Sequence, residues 1–428
     1  MALGFESQNY LIITSFRIII LNEVIPMKLI ERPQYLNFLI RNKDLPLIKV
    51  ITGVRRSGKS TLFTLYKNYL TSSGVPAERI IAINFEDLAF EDLQEYHALY
   101  RYIVERLRPD GKNYIFLDEI QHVPQFEKAV DSLFIKDNVD LYITGSNAYF
   151  LSGDLATLLA GRYVEMQMLP LSFREFLSGL PAPLSLEAAY EAYTKDSSFP
   201  FALALRGKEQ NISEYLSGIY NTILIKDTLT RLRTANPAIL QSIMKYMAAN
   251  IGSLISPSKI ANTLTSMGRK TDNKTIERYL TSLTDSLLLY QTDRFDVRGK
   301  NILKTNAKYY LVDPAFRRLL MNDTGRDTGH ILENVIYLEL LRRGNKVFVG
   351  QLPGGEIDFV CESETGLSYY QVALSTLDPA VLDRELKPLR ALSDQYPKYL
   401  LTLDTITPSA NYEGILKRNA LRWLAGEE

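Results

Sequence analysis

The chain has 428 residues, and at roughly 150 residues per domain that length suggests two to four domains. Lysine plus arginine and aspartate plus glutamate balance at 49 each, which excludes a chain that is basic throughout but leaves room for a local basic face. A hydrophobic share of 46% with 23% charged residues excludes a disordered chain, one cysteine excludes an internal disulfide, and three scattered histidines exclude a His/Cys metal cluster.

The single cysteine points to a reducing cytoplasm. Cys361 closes the run Ile357-Asp358-Phe359-Val360 and reads as an apolar filler in a strand. At the start of the chain, residues 11–21 are apolar but interrupted by Arg17, and about 11 residues fall short of the roughly 20 that a membrane span needs. A basic leader and a small-residue cleavage site are missing, so no signal peptide and no membrane partner are expected. Met27-Lys28-Leu29-Ile30-Glu31-Arg32-Pro33 reads as a natural beginning, which leaves residues 1–26 as an extra strand or a peripheral extension.

The strongest chemical signal follows a β-branched run, Ile48-Lys49-Val50-Ile51-Thr52. Gly53-Val54-Arg55-Arg56-Ser57-Gly58-Lys59-Ser60 matches G-x-x-x-x-G-K-[ST] at every defined position, and Thr61-Leu62-Phe63-Thr64-Leu65-Tyr66 continues at helical spacing. In such a loop the backbone amides turn inward as an anion nest, and the helix N-terminus adds partial positive charge. Gly53, Arg55, Arg56, Ser57, Gly58, Lys59, Ser60 and Thr61 are the expected ATP-binding residues; Lys59 would reach the β- and γ-phosphates and Ser60 would ligate Mg²⁺. The second half of such a site is a buried strand ending in acid. Tyr114-Ile115-Phe116-Leu117-Asp118-Glu119 supplies it, with Asp118 holding Mg²⁺ through water and Glu119 polarising the attacking water.

Residues 79–85, 139–144 and 162–169 read as further strands of the same sheet. A strand intervening between the phosphate loop and the acidic strand, with a glutamate directly after the aspartate, marks the additional-strand, catalytic-glutamate type of P-loop ATPase. Asn147, at the tip of the strand beyond the acidic one, is the expected sensor of the γ-phosphate; as a turn former it would have no such role.

Thr144-Gly145-Ser146-Asn147, then Leu159-Ala160-Gly161-Arg162-Tyr163, then Leu169-Pro170-Leu171-Ser172-Phe173-Arg174-Glu175-Phe176 closely resemble a group of prokaryotic AAA+-type ATPases. The Arg55-Arg56 pair and Leu117-Asp118-Glu119-Ile120-Gln121 fit the same group, whose members join an N-terminal ATPase to a C-terminal domain related to PD-(D/E)xK nucleases. The resemblance covers nearly the whole chain from about Met27. It implies that Arg162 reaches a γ-phosphate, although a surface cation at the start of a strand fits that position equally. It also implies ring-like oligomers without fixing them.

Residues 177–235 read as a helical lid over the nucleotide, with Lys226-Asp227 similar to the group's lid. Ser197-Ser198 stands before Phe199-Pro200 where the group has two glycines. Residues 236–312 hold three helical stretches and a hairpin, with Ser256 and Asp272 or Asn273 as helix caps, and read as a winged helix with residues 274–287 as recognition helix. This stretch carries 11 Lys/Arg against 5 Asp/Glu. Arg269, Lys270, Lys274, Arg278, Arg298 and Lys300 would follow a DNA backbone, the alternative being a protein-facing surface.

In residues 328–428, Glu333 on a helix and Asp358 on a strand fit the nuclease-like pattern. The following strand should carry Glu-x-Lys but has Gln371 and Ala373, so the constellation is broken unless a lysine arrives from elsewhere, with Lys387 and Lys398 the nearest in sequence. The expected fold is α/β: an extension to residue 26, an ATPase core over 27–180, a lid over 181–235, a winged helix over 236–325 and a nuclease-like domain over 326–428. The expected function is a Mg²⁺-dependent ATPase switch acting on DNA. A non-hydrolysing nucleotide-gated scaffold and an ATP-gated nuclease are the alternatives.

Overall fold

The computed structural model describes residues 15–20, 23–146, 159, 161–229, 232, 236–321 and 328–427. Ser15–Ile20 (β1) and Glu23–Lys28 (β2) pair as an antiparallel hairpin that runs through Met27. Pro33 then opens α1 (Pro33–Arg41), where its fixed φ suits the first turn.

Strands and helices then alternate: β3 (Ile48–Thr52), α2 (Lys59–Ser72), β4 (Ile80–Asn84), α3 (Tyr96–Val104), β5 (Asn113–Asp118), α4 (Phe126–Phe134), β6 (Val139–Gly145) and β7 (Tyr163–Gln167). This alternation yields a five-stranded parallel sheet in the order β4-β5-β6-β3-β7. β3, β5 and β6 are buried at every position, as strands covered on both faces must be. Tyr35, Leu62, Tyr66, Phe116 and Tyr142 fill one face, and Val50, Ile83, Leu117, Leu133 and Ile143 the other. The strand separating β3 from β5 in space is β6, which comes after the acidic strand in the chain; β4, which separates them in sequence, lies at the sheet edge. Pairing of Thr52 with Gly145 and of Leu117 with Ile143 brings the C-terminal ends of β3, β6 and β5 level. The expected α/β ATPase core is therefore present.

Ser172 and Glu175 form a capping box that starts α5 (Phe173–Gly179). The segment expected as a lid holds α6 (Leu186–Asp196), α7 (Glu209–Thr222) and a π-helical turn, Ile223–Leu229. Three helices follow, α8 (Pro237–Ala249), α9 (Pro257–Ser266) and α10 (Asn273–Asp285). Ser256 caps α9 through the Lys259 amide at 3.2 Å and Asp272 caps α10 through the Thr275 amide at 2.9 Å, both at expected positions.

The hairpin β8 (Leu289–Asp296) and β9 (Asn301–Leu311) leads to α11 (Ala315–Met321) and α12 (Thr328–Arg342). The remaining elements are β10 (Lys346–Leu352), β11 (Gly355–Ser363), β12 (Gly366–Ala373), α13 (Pro379–Arg390), β13 (Lys398–Thr402), β14 (Ala410–Tyr412), β15 (Ile415–Asn419) and α14 (Ala420–Ala425). Here the structure corrects the expected wing. β8 pairs in parallel with β10, so the hairpin is the edge of one eight-stranded mixed sheet, β14-β15-β13-β12-β11-β10-β8-β9. Val297, at the hairpin turn, is buried with Leu352, Ile357 and Leu386 of the C-terminal domain, so Arg298 and Lys300 do not ride on a free wing. The divisions expected at 235 and 325 do not separate cores either. Phe176, Tyr193 and Phe199, Leu240, Leu264 and Leu283, and Leu332, Ile336 and Trp423 all belong to one continuous apolar cluster.

Candidate functional site

β3 delivers the loop 53–58 to the C-terminal edge of the parallel sheet, and α2 starts directly after it with Lys59. A helix N-terminus opening on a glycine-rich loop favours anions. Gly53 is required by packing, because a Cβ there would sit 2.4 Å from the Met168 carbonyl oxygen. Lys59 is 3% exposed. Its Nζ donates to the Gly53 carbonyl at 3.0 Å and to Ser146 Oγ at 3.0 Å, and lies 3.2 Å from Glu119 Oε1.

Asp118 ends β5 and Glu119 follows in the left-handed region at φ 54°, so the two carboxylates leave the strand in different directions. Asp118 Oδ1 accepts from Thr144 Oγ1 at 2.5 Å, and its carboxylate is also hydrogen-bonded by the Ser60 side chain. Burial pushes the Asp118 carboxyl above its ordinary value, and the Glu119 charge adds to the rise, against the two hydrogen bonds. The Glu119 amide donates to Thr144 Oγ1 at 2.8 Å, while its side chain accepts from Ser146 Oγ and Gln121 Nε2, each at 2.5 Å. Burial pushes Glu119 up, but the Lys59 charge and these hydrogen bonds outweigh it and bring the carboxyl down to about 2. Beside the pair, Ser60, Thr61, Asn84, Phe90 and Asp118 border a cleft of 280 Å³.

Two further arginines brace the loop. Arg55 meets Asp227 of the π-helical turn through Nε at 2.9 Å, and Glu86 through Nη1 at 3.3 Å. Arg32, 3% exposed, donates from beneath to the Ser57 carbonyl at 3.0 Å, the Leu169 carbonyl at 2.7 Å and Glu175 Oε1 at 2.8 Å. The Ser57 side chain is buried and Arg56 is exposed. Sequence reasoning missed Arg32, Thr144, Ser146 and Glu86 as site residues. Thr144 and Ser146 carried a signal, since both lie in the motif after β6; Arg32 carried none.

The expected sensor, Asn147, lies outside the described residues. Arg162 is not brought to this chain's phosphate loop. Its carbonyl accepts from the Ile48 amide at the N-terminal end of β3, and its guanidinium pairs with Asp131 of α4. In a parallel sheet that end is the one opposite the phosphate loop. In the C-terminal domain Glu333 and Asp358 do converge. The lysine between them is Lys308 of β9, neither of the two expected from sequence, since Lys387 is exposed and Lys398 donates to the Asp394 carbonyl at 2.8 Å.

A family model described as an AAA domain matches residues 46–177, and one for a domain of unknown function matches residues 187–327. An uncharacterized protein of Haemophilus influenzae is 40% identical over 378 residues, covering 87% of this chain and 93% of that protein. The chain belongs to its family, one of AAA-domain P-loop ATPases. An uncharacterized protein of Methanocaldococcus jannaschii is 30% identical over 350 residues, covering 76% of this chain and 74% of that protein. Among solved structures, a Walker-type ATPase of Pyrococcus abyssi is similar with 17% identity and a TM-score of 0.48, over 68% of this chain and 95% of that one. Among the described residues of this AAA-domain chain, no helix is long and apolar enough to cross a membrane.

Proposed function

We propose that the chain binds ATP with Mg²⁺ at the phosphate loop and hydrolyses it slowly, as a conformational switch in the cytoplasm. The observation that carries this reading is the meeting of Lys59, Ser60, Asp118 and Glu119 at the level ends of β3 and β5. Ser60 and Asp118 are hard oxygen donors lining one cleft, a set that suits Mg²⁺ beside a phosphate. When bound, that ion neutralises charge on the phosphate oxygens. Lys59 exchanges Glu119 for the γ-phosphate. Glu119, relieved of its counter-charge, then accepts a proton from the attacking water, with Ser146 keeping the carboxylate in place. Arg162, at the far end of its own sheet, can meet a γ-phosphate only across a contact with another copy. Calorimetric titration with ATP and Mg²⁺, alongside phosphate release, tests the reading. Lys59→Ala should cost about tenfold or more in affinity or turnover, and unchanged binding would sink it. ATP binding without any phosphate release by the unaltered chain would favour the non-hydrolysing scaffold.

DNA is the partner this reading favours. Arg269, Lys270, Lys274 and Arg278 are exposed at the start of α10, the placement that suits a phosphate backbone. The C-terminal domain then serves as a nuclease-like fold used for binding.

A further inference from the structure

The carboxylates that the nuclease resemblance assigns to a metal surround an ammonium instead. Lys308 Nζ lies 3.1 Å from Glu333 Oε1, 2.7 Å from Glu356 Oε1 and 3.9 Å from Asp358 Oδ1, and the lysine side chain is 5% exposed. Two of these carboxylates have a further partner each. Glu333 Oε1 accepts from the Tyr310 hydroxyl at 2.8 Å, and Asp358 Oδ2 accepts from the Val372 amide at 2.9 Å. Gln371, at the position of the second acid, accepts from the Asp358 amide at 3.4 Å and donates to Glu385 at 3.0 Å, so neither end of its amide is left for an ion. The loop after α8 roofs the cluster: a Cβ on Gly252 would lie 3.0 Å from Glu333 Oε2. Among the described residues, no three His, Cys, Asp or Glu side chains are arranged to hold a metal ion. The donor set therefore does not fit a divalent cation.

We propose that the Lys308 ammonium is the resident cation of this cluster, standing where the resemblance calls for a divalent metal, and that the C-terminal domain binds no such metal. A divalent ion would have to share the Glu333 and Glu356 oxygens with a buried like charge, and repulsion at such distances is large in a poorly hydrated site. The ammonium does part of what the ion would do, since it neutralises the carboxylates and locks β9 to α12 and β11. It offers a scissile phosphate no vacant coordination position, and so no Lewis acid and no activated water. From sequence, cleavage lacks both an acid at Gln371 and a lysine at Ala373; in the fold a lysine does arrive, from β9, but it is spent on the carboxylates.

The test is Mn²⁺ binding by the nucleotide-free full chain, read from the paramagnetic resonance signal of free Mn²⁺, with Asp118→Asn in every protein to silence the phosphate-loop end. With Lys308 intact, adding Asp358→Asn should leave Mn²⁺ binding unchanged. Lys308→Met should create one site, about tenfold tighter than background or better, and that site should vanish in Lys308→Met/Asp358→Asn. The proposal is overturned if Asp358→Asn lowers Mn²⁺ binding while Lys308 is intact, or if folded Lys308→Met takes up no additional Mn²⁺. Metal-dependent nicking of plasmid DNA by the unaltered chain that disappears in Asp358→Asn overturns it too. Should Lys308→Met fail to fold, the comparison with Lys308 intact decides alone.

Discussion

Arg55 and Asp227 form a two-point ion pair, Nε to Oδ2 at 2.9 Å and Nη2 to Oδ1 at 3.2 Å, between the phosphate loop and the π-helical turn Ile223–Leu229. Asp227 is 5% exposed, so the pair is shielded from solvent on the side of the turn, and the fork geometry suits arginine specifically. Asp227→Asn keeps the shape and removes the charge. Amide hydrogen exchange across residues 223–229 should speed up, and ATP affinity should fall by about three- to tenfold. Exchange indistinguishable from the unaltered chain would mean that this turn is held by its apolar contacts alone.

Glu119→Gln retains the hydrogen bonds to Ser146 and Thr144 but removes the base. ATP should still bind, while phosphate release falls by about 10² or more. Equal losses in binding and turnover would reassign Glu119 to holding the loop rather than to the chemistry.

Arg32→Met leaves Glu175 as an unpaired buried carboxylate and strips the Ser57 and Leu169 carbonyls of a donor. Breaking a buried pair of this kind costs about 3–5 kcal/mol. Thermal unfolding should show a clear drop in Tm, and Arg32→Lys, which restores the charge without the fork, should recover only part of it. Full recovery by lysine would argue that charge alone matters.

Charge reversal of Lys274 and Arg278 together should weaken binding to a short DNA duplex and flatten its salt dependence, because each neutralised phosphate contributes about one unit to the salt slope. Fluorescence anisotropy at two salt concentrations reads this. Identical curves for the two proteins would turn the α10 face toward a protein partner.

Asp358 provides the pH dependence. Burial and the neighbouring Glu333 charge push its carboxyl up to about 7, against the pull of Lys308. An acid with a raised folded-state value holds its proton more tightly folded than unfolded. The stability it contributes is therefore complete below the ordinary value of 3.8 and is lost as pH rises through about 7. Asp358→Asn does not titrate, so its Tm should gain on that of the unaltered chain between about pH 5 and about pH 8. A gap that stays constant across that interval would contradict the shift.

The phosphate loop and the Asp118-Glu119 pair were legible because each is a contiguous string whose chemistry follows from its spacing. Ser256 and Asp272 were legible as caps for the same local reason. What escaped was long-range. Arg32 reaches Glu175 across 143 residues, and nothing near either residue announces the partner. Lys308 was counted among the basic residues of a DNA-binding stretch, yet strand pairing turns it inward to face Glu356. Arg162 sits in a motif that suggested contact with phosphate, but strand direction places it at the opposite end of the sheet from Gly53. Ser197, after α6, shows how a sequence departure is absorbed. It takes φ 104°, a conformation that suits glycine, while its hydroxyl and the Ser198 amide each donate to the buried Asp313 at 2.7 Å.

The sheet shared by the hairpin and the C-terminal strands makes the protein hard to take apart. A fragment ending near residue 325 would keep β8 but strip away β10, uncovering the edge of β8 at Arg294, Phe295 and Asp296 and leaving it open to association with other chains. The same cut would leave Lys308 without Glu333, Glu356 and Asp358, an orphaned charge at the seam. Insolubility of such a fragment would therefore follow from a severed sheet, whatever the merit of the three helices before it.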